Sequence, residues 1–286
     1  MKRIVLLSII VMTINTNSLL SQTKSINESK TVIKSVKSEE GNEYELLIKL
    51  PPNYNNEKKY KVLYYLDGWW LSELVNGSYR IHDLTKNMEE LILVGISIEG
   101  DEAAWHIQRN RDYTPSTYDK EKMRFSMKGG AYELNEKTTG GGEYFIAFLK
   151  EVVFQEIESN YNIDKEKRGI LGHSFGGLFA YYCLVQHHKL FKNYILISPA
   201  IWWNKSELLT DDFKLKIDPE VNIYVVMGEL ESNMLKRPIE ELKEELTKRK
   251  NEENIIDFRE YEGKDHHSIL PIGIYEGMEK LYGIEP

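Results

Sequence analysis

The chain has 286 residues, 41% hydrophobic and 29% charged, enough to bury one large α/β core. Its formal charge of −8 and a pI near 5.5 argue against nucleic acid as a partner, which demands a basic footprint. A single cysteine, Cys183, excludes an internal disulfide, and its apolar neighbours predict a place in a core helix.

In chain order, Met1-Lys2-Arg3 and the apolar run 4–11 read as the basic and hydrophobic parts of a secretory signal ending near Ser21. The run is too short to span a bilayer comfortably. Residues 22–286 are then expected to form a single domain, periplasmic or secreted, with no membrane insertion, as a monomer or weak dimer. Leu19 is not the small residue expected three places before the cut, so an uncleaved anchor is the alternative.

Residues 25–38 are polar, an exposed lead-in whose later half starts an edge strand paired with a strand at 44–50. Pro51-Pro52 stops that strand. The apolar runs 61–66 and 91–98 suit central strands buried on both faces, with a crossover helix at 71–90 between them. Phe145, Phe148, Leu149, Val152 and Val153 have helical spacing, as do Leu235, Ile239, Leu242 and Leu246. Strands at 194–198, 221–227 and 255–261 and a final helix at 274–282 complete an alternating pattern. Such alternation predicts an α/β fold, a mostly parallel, doubly wound sheet with helices on both faces.

The interval 100–142 lacks sustained periodicity and is long for a plain connection. It reads as an insertion at a strand's carboxyl end, a substrate-binding loop or decoration. Residues 104–130 hold six Lys and Arg against three Asp and Glu, locally basic in an acidic chain. Gly140-Gly141-Gly142 is not a phosphate loop: no Lys-Ser/Thr follows, and a helix entry explains it.

Gly172-His173-Ser174-Phe175-Gly176-Gly177 carries the chemistry. It reads G-x-S-x-G-G, after Ile170-Leu171 and before an apolar run to Val185. A sharp strand-to-helix turn lifts Ser174 clear of the sheet, with glycines as the only neighbours that tolerate the crowding. The N–H of Phe175 then faces the oxyanion formed when Ser174 attacks a carbonyl. A bare G-x-S-x-G arises by chance in roughly one chain in ten of this size, so partners decide its weight. They follow in the order acid, then histidine. The strand at 221–227 ends in Gly228-Glu229-Leu230-Glu231, and that at 255–261 leads to Asp265-His266-His267-Ser268. Glu231 is favoured over Glu229 as one step further into its loop, and His266 and His267 both stand as base. His173 reads as a packed elbow side chain. His82 and His106 form no metal-spaced pattern, so neither a metal nor a cofactor is expected.

The elbow resembles that of the putative-esterase (esterase D-like) family of α/β-hydrolases, which includes esterases of trilactone siderophores. The likeness extends to Pro51-Pro52-Asn53-Tyr54, Leu66-Asp67-Gly68, Arg111-Asp112-Tyr113-Thr114-Pro115, Ser198-Pro199-Ala200-Ile201-Trp202-Trp203 and Asp265-His266-His267-Ser268-Ile269-Leu270-Pro271. The resemblance implies ester hydrolysis, with His266 on the catalytic position and His267 where the family usually has glycine. Some members work with a Ser–His pair and no firmly placed carboxylate. The turn after 61–66 takes the place of the loop that supplies the second oxyanion N–H, which makes the backbone at Gly68-Trp69 the candidate beside Phe175.

All five tryptophans, 69, 70, 105, 202 and 203, sit just beyond expected strands. Clustering at that edge predicts aromatic walls for a ring-shaped ligand, with one of each adjacent pair packing inward. Trp70, Trp203, Arg109 and Arg111 are therefore the expected substrate contacts. The implied activity is a serine esterase acting through an acyl-enzyme, on catecholate trilactone-type siderophore esters in iron release. A feruloyl or acetyl carbohydrate esterase is the alternative. A thioester hydrolase of the S-formylglutathione type is disfavoured by the signal. A binding protein without chemistry would not react with a fluorophosphonate.

Overall fold

The computed structural model describes residues 31–98, 100–118, 123–127, 130–135, 137–213 and 220–284; the signal read at 1–21 lies outside them. The expected edge strand is β1 (Thr31–Lys37), antiparallel to β2 (Glu43–Lys49). Strands β3 (Tyr60–Tyr65) and β4 (Leu91–Ile98) flank helix α1 (Gly68–Thr85). After α2 (Glu102–Asp112) comes a separate hairpin of β5 (Met123–Met127) and β6 (Gly130–Leu134). The next helical stretch is α3 (Gly142–Phe148), a π turn at Leu149–Val153 and α4 (Phe154–Asn160). Then follow β7 (Ile163–His173), α5 (Phe175–Gln186), β8 (Asn193–Ile197) and a short α6 (Trp203–Ser206). The chain continues through β9 (Asn222–Gly228), α7 (Asn233–Thr247), β10 (Ile256–Tyr261) and α8 (Leu270–Tyr282).

Eight strands form one sheet in the order β1-β2-β4-β3-β7-β8-β9-β10. In the sheet order from β4 to β10 every pairing is parallel; the β1–β2 and β2–β4 pairings are antiparallel, so β2 alone runs against the others. Alternation along each strand divides the core between the two faces. Val62, Tyr64, Ile170 and Leu196 point to the face covered by α3, α4, α5 and α7. Leu63, Tyr65, Leu171 and Ile197 point to the other, against Leu71 and Val75 of α1 and Ile274 and Met278 of α8. Each fully buried aliphatic side chain contributes about 1.5–3 kcal/mol of transfer free energy. The sheet is the α/β-hydrolase arrangement expected from the sequence. Helix α5 is buried from Phe175 to Val185, Cys183 included, which explains why it is apolar all round.

The interval 100–142 departs from its reading as an aperiodic insertion, because α2 occupies its start. That helix turns Trp105, His106, Arg109, Asn110 and Asp112 inward, so its buried side is mostly polar and gives no hydrophobic period. Asp101 caps it, its Oδ1 accepting the N–H of Ala104 at 2.9 Å.

Parallel strands put the ends of β3, β7, β9 and β10 along one edge, where an open α/β sheet assembles its site. The tightest point there is the turn from β7 into α5. Ser174 has φ 57° and ψ −116°, outside the regions that L residues favour. Its N–H donates to Ile197 O at 3.0 Å, and its own carbonyl accepts from Leu178 at 2.9 Å and Ala200 at 2.9 Å. A Cβ on Gly172 would stand 2.2 Å from Gly176 O and 2.3 Å from Gly176 C, backbone atoms that cannot swing aside. Gly172→Ala should therefore lower the unfolding free energy by about 1–3 kcal/mol through overpacking. An unchanged urea midpoint would show that the turn relaxes freely.

Candidate active site

Ser174 and His266 face one cavity of about 430 Å³ at the carboxyl edge of the sheet. Trp69 and Trp70 (α1), Glu102, Trp105, His106 and Arg109 (α2), His173 and Phe175 (the elbow), Trp202, Met234 and Leu235 (α7) and His267 complete its lining. A larger groove, about 860 Å³, lies beside β10 among Tyr224, Asp257, Arg259, Glu276 and Lys280, and it holds no serine or histidine.

The histidine loop is shaped before any chemistry. Asp265 accepts the N–H of His267 at 3.0 Å and that of Ser268 at 2.8 Å, while its own N–H donates to Ser268 Oγ at 2.8 Å. These bonds, led by those with Ser268, hold its carboxyl at about 2. From the other side, His173 Nε2 lies 2.7 Å from His266 O. A carbonyl only accepts, so that nitrogen carries the proton. Burial holds the His173 ring well below the usual histidine range, and the neighbouring His266 adds to the effect. The elbow histidine thus ties the nucleophile's strand to the His266 loop as a neutral donor.

Behind His266 lies Glu231, whose side chain is fully buried. Its Oε2 is 3.3 Å from His266 Nδ1, and its Oε1 accepts from Gly228 N at 3.1 Å and from Ser198 Oγ. Burial alone would raise this carboxyl. The bonds from His266, Ser198 and Gly228 outweigh it and hold the group below the usual range. An anionic carboxylate at Nδ1 fixes the tautomer that leaves the Nε2 lone pair for a hydroxyl proton. Ser174 Oγ has no hydrogen-bond partner among the described residues; such contacts are often loose without substrate. Glu229 is exposed and accepts Gly263 N–H at 2.9 Å, away from His266.

The remaining candidates divide. Trp69 and Trp70 are both in the wall. Gly68 is buried beneath α1, where a Cβ would come within 3.0 Å of Ile96 C on β4. The left-handed residue at this turn is Asp67 (φ 56°, ψ 44°), and Gly68 serves close approach to β4. Trp203 is not a substrate contact. It is fully buried, donates from Nε1 to Ser116 Oγ at 3.1 Å and packs on Phe175, and Trp202 takes its place in the wall. Arg111 is also displaced: it bonds Asp112 Oδ1 at 2.6 and 2.8 Å and Asn42 Oδ1 at 3.0 Å, outside the cavity. Arg109 lines the cavity, but its guanidinium is turned onto Asp67 and the carbonyl of His173. Arg109 and Arg111 therefore spend their charge on neighbouring aspartates; the side chains of Lys120, Lys122, Arg124 and Lys128 lie outside the described residues.

His106, Met234 and Leu235 were not expected in the wall. A signal for α2 was nonetheless present: Glu102, Trp105, His106 and Arg109 fall at i, i+3, i+4 and i+7, one helical face. The helix start at 233 gave no comparable sign. Burial lowers the pKa of both His106 and His267. The described wall is thus largely aromatic, with its fixed charges at Arg109, paired to Asp67, and at the exposed Glu102.

The profile of the family described as putative esterase matches residues 38–269. A ferri-bacillibactin esterase, BesA, of Bacillus subtilis is 32% identical over 244 residues, 82% of this chain and 82% of that protein. A siderophore triacetylfusarinine C esterase of Aspergillus fumigatus is 24% identical over 172 residues, 50% of this chain and 59% of that one. Among solved structures, the BES protein from Bacillus cereus superposes with a TM-score of 0.78 at 28% identity, covering 90% of this chain and 97% of that chain. With the family profile covering most of its length and a relative 32% identical over 82% of it, the chain belongs to the putative-esterase family of α/β-hydrolases as a serine ester hydrolase.

Proposed function

We propose that this enzyme opens the ester bonds of siderophores, with Ser174 as nucleophile, His266 as general base and Glu231 as its orienting acid. The observation that carries the reading is the cavity wall. Trp69, Trp70, Trp105 and Trp202 surround the serine, an apolar aromatic cage suited to flat rings. Siderophore esterase is also what the names of the bacterial and fungal relatives say. Residues 22–286 would act as one domain, as a monomer or weak dimer. The signal read at 1–21 would place it in a periplasm or outside the cell. Among the described residues no helix is long and apolar enough to cross a membrane.

Ser174 Oγ attacks the ester carbonyl carbon while its proton passes to His266 Nε2. The carbonyl electron pair moves to oxygen, and the N–H of Phe175 at the start of α5 receives that oxyanion. A second donor comes from the first turn of α1, Gly68-Trp69, whose N–H groups have no partner within the helix. Collapse expels the alcohol, which takes the proton from His266 and leaves an acyl-serine. Water then repeats the sequence, its proton going to His266 and on to Ser174 Oγ as the acid leaves. Glu231 stays ionised throughout and steadies the imidazolium.

Ser174→Ala and His266→Ala should each lower kcat for p-nitrophenyl acetate by several orders of magnitude and to a similar level, because the two act as a unit. His267→Ala should cost little and Glu231→Gln less than either. The reverse order between the histidines would reassign the base. For the substrate, purified enzyme with a trilactone siderophore should release the linear hydroxy acid, read by mass spectrometry. Release of ferulate or acetate from carbohydrate esters, with the trilactone untouched, would move the assignment to that class.

The walls give a separate test. Trp70→Ala and Trp202→Ala should weaken kcat/KM for bulky aromatic esters by about 1–3 kcal/mol, roughly five- to 150-fold, and leave acetyl esters nearly unaffected. Equal losses on both would show that these rings support the fold and do not select substrate.

A further inference from the structure

We propose that Arg109 is a positioning residue that ties the two oxyanion-hole strands together through one guanidinium; this rests on the serine esterase reading above. Its Nε donates to Asp67 Oδ1 at 2.7 Å and its Nη2 to Asp67 Oδ2 at 3.0 Å. The same Nη2 donates to His173 O at 3.1 Å. Asp67 immediately precedes the first turn of α1, and His173 immediately precedes Ser174 and the first turn of α5. The fork thus spans the backbones that present Gly68-Trp69 on one side and Phe175 on the other, with α2 as the rigid mount.

The pair is built for fixity. Arg109 and Asp67 are 7% and 1% exposed, and the rings of Trp105, Tyr113 and Phe175 lie 5.2, 5.6 and 5.6 Å from the guanidinium carbon. Asp67 is held in the left-handed region, and its N–H donates to Tyr113 Oη at 3.3 Å. A strained residue that its surroundings over-determine is the kind found at functional sites. The guanidinium has a second effect. Asp67 Oδ2 is 3.5 Å from where a Cβ on Gly176 would sit, so a bare carboxylate would stand beside the first turn of α5 and oppose an oxyanion there. Arg109 cancels that charge in place. Lysine cannot do both, being a point donor without the fork.

Arg109→Lys should lower kcat for p-nitrophenyl acetate about tenfold to a hundredfold, the scale of a misplaced catalytic group. KM should stay within about twofold, and phosphonylation by a fluorophosphonate should slow in the same proportion. Asp67→Asn tolerates the left-handed backbone and keeps the bond to His173 O, so its kcat should fall less, again with KM held. Wild-type kcat in Arg109→Lys with a lowered Tm would overturn the proposal in favour of plain structural support. A raised KM with kcat retained would overturn it in favour of substrate contact. Should Arg109→Lys fail to fold, wild-type kcat in Asp67→Asn overturns it equally. Ser174→Ala, run in parallel, separates the two levels: if it hydrolyses esters normally, the nucleophile assignment falls, whatever Arg109 does.

Discussion

Everything at this site is referred to the passage from β7 into α5. The sheet ends, the chain reverses within one residue, and Ser174 takes a backbone conformation that most side chains avoid. That conformation persists because three hydrogen bonds and two glycine contacts over-determine it. One of those bonds runs to Ile197 at the end of β8, and the next residue, Ser198, also adopts a positive φ and bonds Glu231. The strain at Ser174 is therefore continuous, through β8, with the setting of Glu231. A change in the spacing of β7 and β8 would be felt at both.

Much of the arrangement was legible because its signals are local. A nucleophile elbow is written in six consecutive residues, and apolar runs of strand length mark most central strands, whereas the charged start of β7, Asp164 to Arg168, gave no such sign. Chain order narrowed the acid to Glu229 or Glu231 and the base to His266 or His267, and the family resemblance then favoured His266. What stayed hidden depends on contacts far apart in sequence. Trp202 and Trp203 have equal claim in the sequence; only the partner offered by Ser116 to the Trp203 indole turns that ring inward. Arg111 and Arg109 are two residues apart, and the helix sends one to Asp112 and Asn42, the other to Asp67. Helix α2 itself escaped because hydrophobic periodicity cannot report an element whose buried face is charged and aromatic.

The cavity's electrostatics follow from burial more than from composition. Three of its four histidines, at 106, 173 and 267, are pushed toward the neutral form, first by desolvation. The cation at Arg109 is spent on Asp67. Glu231 keeps its charge behind the His266 ring. An environment of this kind penalises any fixed charge except one that hydrogen-bond donors are already placed to receive. That makes the oxyanion, formed and lost within one catalytic step, the negative charge it serves best.

The hydrogen bond from His173 to His266 O joins residues that are 93 positions apart in the chain. Its consequence lies in the order of assembly. During synthesis the elbow emerges long before β10, and β10 closes the parallel sheet at its outer edge, a pairing paid for by loop closure. Until that strand docks, His266 has not reached Ser174 or the Glu231 loop that follows β9, and the neutral donor at 173 has nothing to hold. On the proposed roles, a chain that lacks the last strand carries Ser174 without His266, and hydrolysis waits for the complete sheet.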